Sequence, residues 1–178
     1  MKKLTTEEMH RLTVEEFRES TKLPLTVVLD NVRSQNNIGS VFRTADAFRV
    51  EHIALCGICS TPPHREIHKT ALGAEESVDW SYHEETVECV RALKERGYKV
   101  YAVEIAHESL RVDDLKAVAL DKVAIVFGNE VEGVQEEVME LCDRALEIPQ
   151  EGTKHSLNVS CAAAIVMWEM YKQLRVRS

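Results

Sequence analysis

The polar side chains best suited to bind a ligand occur at residues 31–46. This segment follows an apolar run at residues 25–29, which is typical of a buried strand, and continues into a stretch with helical periodicity. Two adjacent asparagines ending at Asn37, together with Gly39, favour a turn with unusual backbone angles at the junction. Arg43 lies four residues beyond Gly39, about one helical turn from the carboxyl end of the strand. Amides with one guanidinium suit a polyhydroxylated or phosphorylated ligand, and open α/β sheets bind ligands at this edge.

Two further polar segments follow other predicted strands. After a strand at residues 123–127, the loop at residues 128–133 holds two glycines, which permit close backbone approach, and two carboxylates. The irregular segment at residues 148–160 leads into the last helix, where Ser156 is expected to be the helix cap. A cap at Ser156 would leave Asn158 inside an otherwise apolar helix. Each segment alone could be an ordinary strand-to-helix turn, but three at the carboxyl ends of strands predict one shared site.

The hydrophobic pattern predicts the elements that position these segments. Strands are expected at residues 25–29, 53–58, 100–105, 123–127 and 145–148, with a weaker candidate at 78–82, and helices at residues 5–19 (capped by Thr6), 38–49, 84–96, 134–142 and 156–174. Continuous apolar strands that alternate with helices indicate an α/β fold, with a mostly parallel sheet covered by helices on both faces. Without a linker or repeat, one domain over residues 1–178 is predicted, with an N-terminal helical extension at 1–22 and a core at 23–174.

Composition narrows the class of protein. The 44% of hydrophobic residues is ordinary for a soluble globular domain, and no apolar run reaches the roughly 18 residues that a membrane span needs. The first residues do not form a secretory signal, and five irregularly spaced cysteines favour reduced thiols and a cytoplasmic location. A net charge of −8 counts against non-specific nucleic-acid binding over the whole surface, but not against a local basic patch.

Several common sites are disfavoured. The glycines form neither a dinucleotide fingerprint nor a P-loop. Cys56 and Cys59 have CxxC spacing, but a structural zinc site normally needs a second pair and a redox site needs a helix after the first cysteine, so buried small side chains are the better interpretation. His64 and His68 could share a helix face and bind a metal, but a surface loop after two prolines is the preferred interpretation, and no metal is expected.

The last predicted helix is apolar nearly all round at residues 161–168. Such a helix is buried on more than one side. Its second apolar side could pack on another subunit or sink into the core of its own chain. We favour a homodimer.

The three polar segments resemble the three motifs of the SpoU (TrmH-like) RNA 2′-O-ribose methyltransferases of the SPOUT class. The matching residues are Asn37, Gly39, Arg43, Thr44 and Ala45 in the first motif, Phe127, Gly128, Asn129, Glu130 and Gly133 in the second, and Ile148, Pro149, Gly152, Ser156, Leu157, Asn158, Val159 and Ser160 in the third. Residues 69–74 resemble a further short family segment, and the similarity covers roughly residues 25–171. One departure is Gln150 and Glu151, where the family often has methionine after the proline.

The resemblance implies a SPOUT-type sheet with a C-terminal trefoil knot, S-adenosylmethionine as methyl donor, a ribose 2′-hydroxyl of transfer or ribosomal RNA as acceptor, and a homodimer with its active site at the subunit interface. Catalytic roles are implied for Arg43, Asn37, Glu130, Ser156 and Asn158. Cofactor contacts are implied for Phe127, Gly128, Asn129, Gly133, Ile148, Pro149, Ser156 and Leu157. RNA contacts are expected from Arg33, Arg43, Arg65 and Lys69, and the short N-terminal extension favours transfer RNA over ribosomal RNA.

By analogy with the family, Arg43 contacts the target nucleotide and could act as a base. Because a guanidinium rarely deprotonates, we favour a role in binding the adjacent phosphate and orienting the hydroxyl. An alternative is a surface arginine paired with Asp46 or Glu130. Alternative functions are a catalytically silent RNA-binding or assembly factor, a methyltransferase for a protein or small molecule, and a flavodoxin-like nucleotide binder, which would lack its glycine loop.

Overall fold

A computed structural model describes residues 1–5, 7–116 and 121–175 of the chain, so Thr6, the expected cap of the first helix, lies outside the described residues. The strands are β1 Leu23–Asp30, β2 Val50–Cys56, β3 Trp80–His83, β4 Lys99–Val103, β5 Leu110–Arg111, β6 Val123–Phe127 and β7 Arg144–Glu147. The helices are α1 Val14–Glu19, α2 Gln35–Ala47, α3 Arg65–Ala71, α4 Ala74–Ser77, α5 Thr86–Glu95, α6 Glu136–Leu141 and α7 Val159–Leu174, with a 3₁₀ turn at Glu7–Met9.

The strands form one parallel sheet in the order β3-β2-β1-β6-β4-β7-β5. Alternate residues of β1 point to opposite faces, as strand geometry requires. Leu25 and Val27 join a core with residues of α2 and α7, whereas Val28 joins a second core with residues of α5 and α6. The predicted α/β fold, with a parallel sheet covered on both faces, is therefore confirmed. Among the described residues, no helix combines the length and apolar character required to cross a bilayer.

The N-terminal region differs from the single helix expected at residues 5–19. It contains the 3₁₀ turn and then α1, which Thr13 caps through a capping box with Glu16. This cap explains the late start of α1, because it satisfies backbone donors that a continuous helix would use internally. Of the apolar residues expected on one side, Phe17 is buried while Met9 and Leu12 are exposed.

The prediction of a turn around Gly39 is wrong. Ser34 caps α2 and accepts a hydrogen bond from the Asn37 N–H, so Gly39 lies inside the helix. A Cβ at Gly39 would meet the carbonyl oxygen of Ile67 in α3 at 2.2 Å, so this glycine serves helix packing. Asn31 instead adopts the left-handed conformation, with φ of 55°.

Candidate active site

The carboxyl ends of β1, β6 and β7 lie on the same edge of the sheet because all strands are parallel. Three side chains from the segments that follow these strands, one of them in the first turn of α2, are joined there by hydrogen bonds. The Asn37 Nδ2 donates to Glu130 Oε1 at 3.0 Å, and the Asn158 Nδ2 donates to Asn37 Oδ1 at 3.2 Å. The structure thus brings together one residue from each of the three polar segments.

Glu130 is the anchor of this hydrogen-bond chain. Its two carboxylate oxygens also accept the backbone N–H groups of Arg33 and Ser34, each at 2.9 Å. Partial burial raises the pKa of Glu130, but the hydrogen bonds from Arg33, Ser34 and Asn37 outweigh it and leave the pKa below its ordinary value. Glu130 is therefore an ionised group that fixes both the start of α2 and the orientation of the Asn37 amide.

Asn158 caps α7, which corrects the prediction that Ser156 starts this helix and that Asn158 lies inside it. The Asn158 Oδ1 accepts the N–H groups of Ser160 and Cys161, at 2.9 and 3.4 Å. Asparagine is among the preferred N-cap residues because its side-chain oxygen satisfies these otherwise unpaired donors. With its oxygen engaged by the helix, the amide presents its nitrogen to Asn37. Ser156 lies in the exposed loop before the cap.

The second loop is held in a narrow shape by Asn129 and its glycines. Asn129 and Gly133 exchange both backbone hydrogen bonds at 3.0 Å, and the Asn129 Nδ2 donates to the carbonyl oxygen of Asn31 at 2.8 Å. A Cβ at Gly128 would lie 2.0 Å from the Gly133 carbonyl carbon, and Gly133 itself has φ of +73°. The two glycines thus allow the loop to fold back on itself, and Asn129 ties it to the first loop.

A cavity of about 540 Å³ opens between the second and third loops. The cofactor residues implied by the motifs that line it are Phe127, Gly128, Asn129, Gly133, Ile148, Ser156 and Leu157, and Pro149 does not. Glu130 and Asn158 also line it, so the hydrogen-bond chain forms part of its wall. The volume lies within the range of small-molecule sites. The apolar side chains of the cavity suit the adenine of S-adenosylmethionine, and its carboxylates and exposed backbone groups suit the polar parts of this cofactor.

Arg43 is not part of this cavity. It is exposed, and it forms no hydrogen bond or ion pair with any residue that the structure describes. The alternative salt bridge is therefore wrong: Asp46 accepts a hydrogen bond from the Ser77 hydroxyl at 2.6 Å, and Glu130 is engaged by the first loop. Arg43 is a free cation on the outer surface of α2.

The other expected RNA-binding cations lie on segments that adjoin α2, the helix that carries Arg43. Arg33 is exposed in the first loop, and Arg65 is exposed at the start of α3, which packs on α2. Lys69 is on α3 and pairs with Glu66 at 2.8 Å. The structure thus groups these residues on neighbouring elements, with Lys69 partly neutralised.

Two polar groups of this edge were not anticipated. Asp30, at the end of β1, is fully buried and accepts hydrogen bonds from the Thr86 hydroxyl and from both the N–H and Nε2 of Gln135. It joins α5 to the segment that follows the second loop. Glu104, directly after β4, lines the cavity. The position of both residues at the carboxyl ends of strands is the sequence signal that could have identified them.

The other candidate clusters are structural. Cys56 and Cys59 are buried, as expected, and burial raises the pKa of Cys59 to about 11, which disfavours a reactive thiolate. The loop expected around His64 and His68 is instead the start of α3: His64 caps the helix, and His68 contacts Glu75. Within residues 1–5, 7–116 and 121–175, no three potential metal-binding side chains cluster.

The loops at the carboxyl ends of the parallel strands thus share one polar cavity, which is the arrangement of α/β enzymes that bind a small-molecule ligand at this edge of the sheet. The chain belongs to the SpoU rRNA Methylase family, which matches residues 24–168. It is 36% identical over 168 residues to the tRNA (guanosine(18)-2′-O)-methyltransferase of Thermus thermophilus, covering 93% of this chain and 84% of that enzyme. It is 34% identical to the 23S rRNA (guanosine-2′-O-)-methyltransferase RlmB of Neisseria meningitidis, covering 84% of this chain but 59% of that enzyme.

Solved structures agree with this assignment. The A. aeolicus TrmH/SpoU tRNA modifying enzyme superimposes with a TM-score of 0.81 at 26% identity, covering 92% of this chain and 82% of that one. The AdoMet-bound rRNA methyltransferase from Sinorhizobium meliloti gives a TM-score of 0.80 at 27% identity, covering 89% of this chain and 60% of that one.

Proposed function

We propose that this chain methylates transfer RNA. It is an RNA 2′-O-ribose methyltransferase, and S-adenosylmethionine is its methyl donor. The observation that carries the proposal is the hydrogen-bond chain from Glu130 through Asn37 to Asn158 in the wall of the cavity. Transfer RNA is favoured because the Thermus tRNA enzyme is 36% identical over 93% of this chain, whereas the Neisseria rRNA enzyme is 34% identical over 84% of it.

The cavity residues hold the cofactor and exclude water from it. When bound, S-adenosylmethionine supplies an electrophilic sulfonium methyl group. Ile148 and Leu157 provide apolar contacts for its adenine, and the narrow loop closed by Gly128 and Gly133 provides backbone donors and acceptors. Ser156 lies in the same wall. Positioning of this kind can lower a reaction barrier by roughly 7–11 kcal/mol in favourable cases.

Arg43 binds the phosphate next to the target nucleotide and orients its 2′-hydroxyl. Its guanidinium has no partner among the described residues, so it is available to an anion. A guanidinium donates hydrogen bonds and does not serve as a base, so the hydroxyl proton leaves late or passes to water. Asn37, held by Glu130 and Asn158, orients the ribose.

The functional unit is a homodimer. Cys161, Ile165 and Trp168 lie on one face of α7 and are exposed in the single chain, with Ile165 42% and Trp168 48% exposed. This apolar face is the second side of the helix that we expected to be buried. Arg43 lies outside the cavity of its own chain, so a second copy that covers α7 is needed to bring an arginine to each cavity.

A trefoil knot in the C-terminal part would explain how the third loop reaches the first. β7 lies near one edge of the sheet, but α7 packs on β1 and α2, beyond β4 and β6. The chain after β7 therefore crosses two strands at their carboxyl ends. We also infer a cytoplasmic location, since RNA is the substrate and all five cysteines are free thiols.

Mixing two inactive variants tests whether the site is shared between subunits. Arg43→Ala leaves the cavity intact, and Asn158→Ala leaves Arg43 intact. Random re-association of two-fold dimers should restore about a quarter of the wild-type activity if Arg43 acts across the interface. No recovery, with mixed dimers demonstrated by mass spectrometry, would place Arg43 and the cavity of one chain in the same site.

Transfer of labelled methyl groups tests the substrate. Incubation with labelled S-adenosylmethionine should label purified transfer RNA and leave ribosomal RNA and protein unlabelled, and the label should be sensitive to ribonuclease. No labelling of any RNA, with the cofactor bound, would support a silent RNA-binding factor. A ribonuclease-resistant product would support a protein or small-molecule substrate.

A further inference from the structure

The end of β4 lies between the two loops that enclose the cavity. Ala102 of β4 pairs with Val126 of β6, and Val103 pairs with Leu146 of β7. The second loop follows β6 and the third loop follows β7, so a ligand held by both loops must lie across the end of β4. Glu104 is the first residue after this strand, and it lines the cavity.

Only one of the two oxygens of the Glu104 carboxylate accepts a hydrogen bond from the described residues. Its Oε1 accepts the N–H of Val134 at 2.8 Å, and it lies so close to the second loop that a Cβ at Gly133 would be 2.3 Å away. Its Oε2 has no hydrogen-bond partner among the residues that the structure describes. No buried side-chain oxygen or nitrogen of those residues lacks a partner, so the Oε2 must be accessible to a ligand or solvent.

The middle of S-adenosylmethionine is its ribose, which joins the adenine to the sulfonium. A ribose presents two neighbouring hydroxyl donors, and an ionised carboxylate accepts hydrogen bonds only. The same pairing of an acidic side chain with ribose hydroxyls serves dinucleotide-binding folds at the equivalent edge of the sheet. No lysine or arginine of the described chain lines the cavity, so neither type of side chain competes with the ribose for this carboxylate.

We infer that Glu104 is a cofactor-binding residue whose carboxylate accepts hydrogen bonds from the ribose hydroxyls of S-adenosylmethionine. This inference rests on the proposed function and adds a contact that none of the three motifs contains. Glu104 thereby couples cofactor binding to the second loop, because the same side chain holds the Val134 N–H. An ordered ribose and an ordered loop stabilise each other.

Glu104→Gln separates the two roles of the side chain. The glutamine oxygen can still accept the Val134 N–H, while its NH₂ group replaces the acceptor that faces the ribose. Calorimetric titration should show that S-adenosylhomocysteine binds the variant about tenfold or more weakly than the wild type, since hydrogen bonds to charged groups are among the stronger ones. The melting temperature of the free protein should stay within a few degrees. Glu137→Gln, which changes an exposed carboxylate of α6 outside the cavity, is the matched control and should bind as the wild type does.

The 2′,3′-dideoxy analogue of S-adenosylhomocysteine identifies the group that Glu104 contacts. The wild type should bind this analogue about tenfold or more weakly than the parent compound, and Glu104→Gln should bind it as the wild type does. Unchanged affinity of the variant for the parent compound overturns the inference. The inference is also overturned if Glu104→Gln lowers the affinity for the parent compound and for the dideoxy analogue by the same factor. That result would assign Glu104 to the cofactor's ammonium group or to the loop alone. Failure of the wild type to bind S-adenosylhomocysteine would instead overturn the proposed function.

Discussion

Replacing Glu130 by glutamine should weaken both the fold at the site and the reaction. The carboxylate accepts three N–H donors, from Arg33, Ser34 and Asn37, at 2.9, 2.9 and 3.0 Å. A glutamine keeps one accepting oxygen, so at least one donor would face an NH₂ group. Each hydrogen bond to a charged group contributes about 1.5–3 kcal/mol, but Glu130 is exposed and water recovers part of the loss, so we expect a net loss of about 1–2 kcal/mol at neutral pH.

Urea unfolding measures this loss. With a typical dependence on denaturant for a chain of this size, the midpoint should fall by about 0.5–1 M. Methyl transfer should fall about 100-fold, because Asn37 and the first loop lose their anchor, while S-adenosylhomocysteine affinity stays within about threefold. Glu132→Gln is the control, since this exposed side chain two residues away makes none of these contacts.

The pH dependence of the unfolding free energy tests the assigned contacts of Glu130 more sharply. The folded-state pKa of Glu130 lies below its ordinary value of 4.5. The stabilisation is therefore fully present above pH 4.5 and is lost as the pH falls through the lower folded-state pKa. The stability difference between wild type and Glu130→Gln should shrink over that acidic range. A difference that is absent at pH 7, or constant down to the acid limit, would refute the assigned contacts.

Three further predictions follow from the same contacts. Gly128→Ala would place a Cβ 2.0 Å from a backbone carbon of the facing loop, so it should abolish S-adenosylhomocysteine binding in calorimetry, whereas Gly152→Ala, with no atom within 4 Å, should bind normally. Asn158→Ala removes a helix cap and should cost about 0.5–2 kcal/mol in urea unfolding, whereas Ser156→Ala should leave stability unchanged. RNA affinity should fall with added salt as counterions are released, and Arg43→Ala should reduce the slope of the log–log plot by about 1. A flat salt response would contradict phosphate contacts.

The meeting of the three loops was predictable from the sequence because it depends on local signals. Each loop follows an apolar strand, and parallel strands place all their carboxyl ends on one edge. The bounds of β6 are the same as predicted, since its five apolar residues are buried on both faces. The role of Gly39 was not predictable, because a sequence does not distinguish a glycine needed for a left-handed turn from one needed where α3 approaches α2.

Residues whose importance depends on strand order could not be identified from the sequence either. Glu104 follows the fourth strand in sequence, and only the placement of β4 between β6 and β7 brings it beneath the cavity. Asp30 was overlooked at the end of β1 because its partners, Thr86 and Gln135, are 56 and 105 residues away along the chain. Short elements such as β5 and α4 lack enough periodicity to be recognised.

Alkaline hydrolysis of the labelled product tests the central claim most directly. RNA hydrolysis needs a free 2′-hydroxyl, so a methylated ribose protects the next phosphodiester bond. After reaction of transfer RNA with labelled S-adenosylmethionine, we predict that the label remains in alkali-resistant dinucleotides and that Arg43→Ala yields none. Label released in mononucleotides would mean that the methyl group is on a base, and it would contradict a site built to orient a ribose hydroxyl.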